Sequence, residues 1–104
     1  MNTAQTDDLI AGLPGEDLIR EGLGDLDAGR ASIPACLVAV AWTRLSRTGL
    51  IPGTWVPPTW EPERELYRLL RVEKGDAYSR YNALLRELIS FESALDRRVR
   101  EASH

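Results

Sequence analysis

Apolar residues recur every three or four positions in several segments of this chain, and glycine, proline and capping residues bound those segments. This spacing places the apolar side chains on one face of an α-helix. No segment alternates apolar and polar residues convincingly, so strands are not expected. The sequence therefore predicts an all-α fold, a compact bundle of about four helices over residues 15–29, 32–49, 62–75 and 77–100.

The second predicted helix has the clearest boundaries. Ser32 is a good N-cap, Pro34 is tolerated in the first turn, and Gly49 can adopt the left-handed conformation that follows a helix C-terminus. Between these ends the apolar side chains cover nearly the whole circumference, which predicts a central, buried helix. Cys36, the only cysteine, lies in this run, and we expect a buried, unreactive thiol.

The fourth predicted helix is the longest. Asp76 can cap it, and its apolar stripe runs from Tyr81 to Val99. A helix over residues 77–100 would be roughly 36 Å long, which is more than three short neighbouring helices would cover. We therefore expect self-association, as a homodimer through residues 76–100, unless another part of the chain covers the stripe.

The segment at residues 50–61, LIPGTWVPPTWE, contains three of the six prolines and two of the three tryptophans. Pro52 prevents the preceding helix from continuing, so the segment is a long non-helical loop. A loop that carries large apolar side chains is usually packed onto the body of the protein. Trp55 and Trp60 then have one of two roles: a lid over the core, or a preorganised anchor for a partner protein.

The length of 104 residues suits one helical domain over residues 1–104, in which the segment 1–14 can be loosely ordered. The longest apolar stretch, residues 35–42, is far shorter than the roughly 20 residues that cross a bilayer. The N-terminus is acidic and does not resemble a secretory signal. We therefore expect a cytoplasmic protein without a membrane span.

Most catalytic and metal-binding motifs are missing from the sequence. The only histidine is His104, and there is no glycine-rich phosphate loop. Two carboxylate pairs have helical spacing, Glu21 with Asp25 and Glu92 with Asp96, but neither has the histidine partner of a di-iron site. We expect both pairs on solvated faces. No catalytic residue, metal ligand or cofactor is predicted, and binding is expected rather than catalysis.

Residues 64–86 interleave arginines with all three tyrosines. In single-stranded nucleic-acid binders this combination supplies phosphate contacts and stacking surfaces, and Arg68, Arg71, Arg80 and Tyr78 are the candidates here. The balanced local charge favours another interpretation, in which the tyrosines belong to the core and the arginines pair with neighbouring acids. Base reading in a DNA groove is not expected, because the second predicted helix is almost wholly apolar.

Together these patterns favour a small non-enzymatic module for protein–protein interaction or regulation, such as a partner subunit or an antitoxin-like protein. The expected partner-binding residues are the loop tryptophans, Trp55 and Trp60, and the unusual polar run of Arg80, Tyr81 and Asn82. RNA or single-stranded DNA binding through the arginine and tyrosine residues is the first alternative. A carboxylate-dependent nucleotide hydrolase is the second.

Overall fold

The computed structural model describes residues 9–73 and 75–102. Five helices lie in these ranges: α1 (Glu16–Asp27), α2 (Ile33–Val40), α3 (Trp42–Arg47), α4 (Pro62–Val72) and α5 (Ala77–Ala102). The structure is 70% helical, and the described ranges contain no strand. The all-α fold class predicted from the sequence is confirmed.

The long second helix of the prediction is two helices in the structure. α2 ends at Val40, Ala41 leaves helical geometry with φ −91° and ψ 15°, and α3 begins at Trp42. Backbone hydrogen bonds continue across the interruption, from the Ala41 N–H to the Leu37 carbonyl at 3.2 Å and from the Leu45 N–H to the Ala41 carbonyl at 2.9 Å. The prediction of one continuous helix is therefore wrong.

Three helix boundaries lie where the capping residues predicted them. The Ser32 hydroxyl accepts a hydrogen bond from the backbone N–H of Ala35 at 3.1 Å, as an N-cap does. Gly49 follows α3 with φ +84°, in the left-handed region. At the start of α5, the Asp76 carboxylate accepts a hydrogen bond from the backbone N–H of Tyr78 at 3.0 Å.

One hydrophobic core joins the helices, and α2 lies at its centre. Residues 35–39 of α2 are all buried, which confirms the predicted burial of this segment. Both α1 and α4 pack on α2. The approach of α1 is so close that a Cβ atom at Gly22 would lie 2.3 Å from the carbonyl oxygen of Pro34. Only glycine allows the two helices to pack at this distance.

The longest helix, α5, has 26 residues, or about 39 Å of helix, and the whole molecule is 44 Å in its longest dimension. Leu88, Phe91 and Leu95 are its buried residues, whereas Tyr78 and Ile89 are 65% and 59% exposed. The stripe from Tyr81 to Val99 therefore packs against the core of a single chain, and the large apolar side chains of α5 that stay exposed are Tyr78 and Ile89. No helix within residues 9–73 and 75–102 has the length and apolarity to cross a membrane.

The chain that precedes α1 is attached to α5. Ile10 is fully buried in the core. The Arg98 guanidinium donates hydrogen bonds to the backbone carbonyls of Leu9 and Ala11, at 3.2 and 2.6 Å. Of the N-terminal segment 1–14, which can be loosely ordered, residues 1–8 lie outside the described residues.

Candidate functional site

The loop between α3 and α4 turns back onto the body of the protein. Leu50 and Ile51 are 1% and 2% exposed, and their backbone N–H groups both donate to the carbonyl of Leu45, at 3.1 and 3.3 Å. Further along, the Trp55 N–H donates to the Pro52 carbonyl at 3.1 Å and closes a turn. These hydrogen bonds fix the start of the loop, and Trp55 and Trp60 then pack against the hydrophobic core.

A groove of about 410 Å³ lies between this loop and the helices. One wall is formed by residues 55–60 of the loop, and the other by Trp42 of α3 together with the end of α1 and the turn after it, which contribute Leu26, Asp27, Gly29 and Arg30. The volume falls within the roughly 300–1,000 Å³ of ligand pockets. We refer to this site as the tryptophan groove.

All three tryptophans of the chain line the tryptophan groove. Trp42, Trp55 and Trp60 are half-buried, because each packs against the hydrophobic core and leaves part of its surface accessible. Val56, between the two loop tryptophans, is 82% exposed. The same indole rings therefore cover the core and line a surface groove, so the two roles predicted for the loop are physically compatible.

The groove also contains residues that sequence reasoning did not select. Trp42 lies in the apolar run that predicted a core helix, but in the structure it begins α3 and faces the groove. The available signal was its size, since tryptophan is rarely buried completely. For Asp27 and Arg30 no signal was available, because their position depends on how the loop docks.

Among the described residues, the ionisable side chains that line the groove are Asp27 and Arg30. Arg30 is paired: its Nη2 and Nε atoms donate to Oδ1 of Asp25 at 2.9 and 3.2 Å. Asp25 also accepts a hydrogen bond from the Ser32 hydroxyl at 2.5 Å. That hydrogen bond, and then the Arg30 guanidinium, hold the pKa of the Asp25 carboxyl below its usual range. Asp27 is exposed and has no ion pair within the described part of the chain.

The other three predicted partner-binding residues lie on α5 and do not line the groove. Arg80 forms an ion pair with Glu73. Tyr81 packs edge-on against Tyr67, with ring centroids 5.8 Å apart, and burial raises the pKa of its phenol. Asn82 is half-buried. The tryptophan groove and this run are therefore separate features of the surface.

The four candidate nucleic-acid residues are divided between two helices: Arg68 and Arg71 lie on α4, whereas Tyr78 and Arg80 lie on α5. A depression of about 640 Å³ is lined by residues 64, 67, 68, 71 and 72. Arg68 pairs with Glu65, which lowers the pKa of that carboxyl, whereas Arg71 has no ion pair in the described ranges. Tyr78 is exposed but does not line this depression. Part of the predicted positive charge is therefore neutralised within the chain.

The solvated faces predicted for the two carboxylate pairs hold only for Glu21, which is exposed, whereas the other three carboxylates are buried or half-buried. Asp25 is buried, because Ser32 and Arg30 hold its carboxylate. Glu92, with a side chain only 13% exposed, and Asp96 both pair with Arg44, at 3.4 and 3.3 Å. Among the described residues no group of three or more histidine, cysteine, aspartate or glutamate side chains could hold a metal ion.

The thiol of Cys36 is fully buried, as predicted. Burial raises its pKa to about 11, so the reactive thiolate form is scarce at neutral pH. This cysteine packs as a small apolar residue of the core and is not part of the candidate site.

The chain matches no known protein-family model, no curated protein and no solved structure. The tryptophan groove is therefore interpreted from its own side chains.

Proposed function

We propose that this protein is a small non-enzymatic module for protein–protein interaction or regulation, and that it holds a segment of a partner protein in the tryptophan groove. The observation that carries the proposal is the grouping of Trp42, Trp55 and Trp60 around an open space of about 410 Å³. Val56 adds an exposed apolar side chain to the same surface. Clustered aromatic surface of this kind is typical of interaction sites.

The stiffness of the loop supports the same function. Pro57 and Pro58 have fixed φ angles at two consecutive positions of the groove wall. Trp55 and Trp60 pack against the hydrophobic core. A wall that is ordered before binding loses little conformational entropy when a partner docks. A preformed groove with aromatic walls suits an extended peptide segment, which is how many proline-rich segments are bound.

The proposal can be tested by selecting binders from a display library of random peptides on the purified 104-residue chain. The affinity of the enriched peptides is then measured through tryptophan fluorescence. Replacing Val56 with Asn should weaken binding about fivefold, or about 1 kcal/mol, because an amide at this position must lose its water when the peptide docks. The matched control is Val72→Asn, since Val72 is 76% exposed on α4 and lies outside the groove.

Two outcomes would refute the groove as a binding site. One is that no peptide is enriched, and the other is that the enriched peptides bind both valine variants equally well. The double variant Trp55→Ala, Trp60→Ala gives a second measurement. It should lose stability as well as peptide affinity, because both rings pack against the core. A double variant with full stability and full affinity would leave the loop with neither predicted role.

Nucleic-acid binding through the α4 surface is the alternative function. Arg71 is exposed on this surface and Tyr78 is exposed at the start of α5, but Arg68 and Arg80 already pair with acidic side chains. An affinity for single-stranded RNA that falls steeply with salt, and that disappears when Arg68, Arg71 and Arg80 are replaced, would favour this alternative.

A carboxylate-dependent nucleotide hydrolase is the weaker alternative. Its best carboxylate pair, Glu92 and Asp96, is engaged by Arg44. A thermal shift that requires Mg²⁺ or Mn²⁺, and that is lost in the variant Glu92→Gln, Asp96→Asn, would favour hydrolysis.

We further propose that the protein works in the cytoplasm and self-associates as a homodimer through α5. The exposed side chains of Tyr78 and Ile89 support the dimer, because they leave apolar surface of α5 uncovered. Sedimentation at high micromolar concentration measures this directly. A strictly monomeric protein would contradict it.

A further inference from the structure

We infer that the segment bound in the tryptophan groove is basic, and that a lysine or arginine side chain of the partner lies between the indole rings and the Asp27 carboxylate. The inference rests on the proposed function, because it names the chemistry of the ligand for the same groove. Three features of the groove carry it: the balance of its charges, the type of its aromatic rings, and its place at the end of α1.

The charges of the lining favour a cation. Arg30, the positive side chain of the lining, is neutralised by Asp25 through two hydrogen bonds to one carboxylate oxygen. Asp27, the negative one, has no ion pair among the described residues. The other lining residues are uncharged. A bound cation would therefore meet an unpaired carboxylate, whereas a bound anion would meet an arginine whose charge Asp25 already balances.

The aromatic rings favour the same ligand. Tryptophan has the strongest cation–π attraction of the aromatic side chains, and an ammonium or guanidinium group within about 6 Å of the ring centroid gains most when it is partly desolvated. Trp42, Trp55 and Trp60 all leave part of their surface open to the groove. A lysine or arginine side chain can also lay its methylene groups on the apolar rim at Val56 while its charge stays near Asp27.

The position of the groove adds a longer-range field. It lies at the C-terminal end of α1, where the helix dipole presents its negative end. Residues 16–30 contain five acidic side chains against two arginines, so the element that forms this wall is itself acidic. Basic segments would be attracted to this end of the molecule before contact, and the attraction would weaken with salt.

The test uses the peptides selected on the 104-residue chain. Enriched peptides should contain more lysine and arginine than the starting library. Asp27→Asn should weaken the binding of a basic peptide about fivefold. Asp27→Lys should reverse the preference, so that the same selection enriches acidic peptides. Asp27 is exposed at the last turn of α1, where a lysine is favourable for the helix dipole, so the variant is expected to fold.

The matched control is Glu21→Lys, which makes the same charge change on an exposed site of α1 outside the groove. It should leave the preference for basic peptides unchanged. One outcome is that peptides lose affinity in Val56→Asn and yet lack basic residues, or bind wild type and Asp27→Lys equally well. Such peptides would overturn the inference and leave the proposed function standing. If Glu21→Lys and Asp27→Lys changed the affinity for basic peptides equally, the preference would be explained by general charge attraction. This outcome would also overturn the inference. If no selected peptide loses affinity in Val56→Asn, the proposed function itself is refuted.

Discussion

The close packing of α1 on α2 can be tested with two glycines of the same helix. A Cβ atom at Gly22 would lie 2.3 Å from the carbonyl oxygen of Pro34 and 2.6 Å from Cγ2 of Val38. Both distances are far inside the 3.0 Å below which Cβ atoms essentially never approach another atom. At Gly24, two residues away in the same helix, a Cβ atom would meet nothing within 4 Å. The substitutions Gly22→Ala and Gly24→Ala therefore differ mainly in contact with α2.

The magnitudes of the two effects follow from this geometry. Alanine in place of glycine within a helix stabilises by about 0.5–1 kcal/mol, and Gly24→Ala should gain this amount. Gly22→Ala gains the same propensity but overpacks an interface whose nearest atom belongs to the backbone and cannot rotate away. Overpacking typically costs about 1–3 kcal/mol, and the upper part of that range applies here. We expect Gly22→Ala to lower the free energy of unfolding by about 2 kcal/mol.

Urea unfolding followed by far-UV circular dichroism measures both variants against wild type. Thermal unfolding gives a second measurement, because about 1 kcal/mol moves the midpoint of a domain of this size by roughly 4–8 °C. The two variants should move the midpoint in opposite directions. If Gly22→Ala were as stable as Gly24→Ala, α1 and α2 would not pack at the described distance, and the reasoning would be refuted.

The remaining predictions concern the cap of α2, the core and the buried thiol. Ser32→Ala should cost about 0.5–2 kcal/mol in urea unfolding, because it removes the N-cap of α2; an unchanged midpoint would contradict the capping role. The pKa of Asp25 is lowered in the folded state, mainly by the hydrogen bond from Ser32. The ionised carboxylate therefore contributes to the stability of the fold above the unfolded pKa of about 3.9. This contribution is lost as the pH falls through the lower folded value. The stabilities of wild type and Asp25→Asn should therefore converge on acidification, and a difference that stayed constant with pH would argue against the assignment. Leu37→Ala and Leu88→Ala should each cost about 2–5 kcal/mol, since these side chains are 1% and 4% exposed; losses below about 1 kcal/mol at both positions would overturn their burial. Cys36, with its pKa raised to about 11, should react with a thiol reagent at neutral pH only as fast as the chain opens, and rapid labelling of the folded protein would show that the thiol is accessible.

Helix ends were predictable where one residue determines the local backbone. Ser32, Gly49 and Asp76 act through their own side chain or their own φ angle, and both properties can be read from the sequence. The interruption at Ala41 was not predictable in this way. Alanine is a good helix former, and the backbone hydrogen bonds continue across the site, so no local signal marks the change of geometry.

The candidate site was only partly predictable, because it depends on contacts between distant segments. The loop tryptophans could be selected, since two tryptophans among prolines are unusual in a loop. Trp42 and Asp27 become groove residues only once the loop docks on α1 and α3. The burial of Asp25 could not be predicted for the same reason. Its helical spacing from Glu21 favoured a solvated face, but in the structure its carboxylate accepts hydrogen bonds from Arg30 and Ser32, which follow α1.

The contacts of Arg98 with the backbone of Leu9 and Ala11 bear on the order in which the molecule assembles. They join positions 89 and 87 residues apart, whereas α1 and α2 are separated by one short turn. The entropy lost on closing a loop grows with its length, so the pairing of α1 with α2 can form early and the Arg98 contacts form late. The walls of the tryptophan groove come from α1, α3 and the loop, so the groove can assemble before the N-terminal turn attaches to α5.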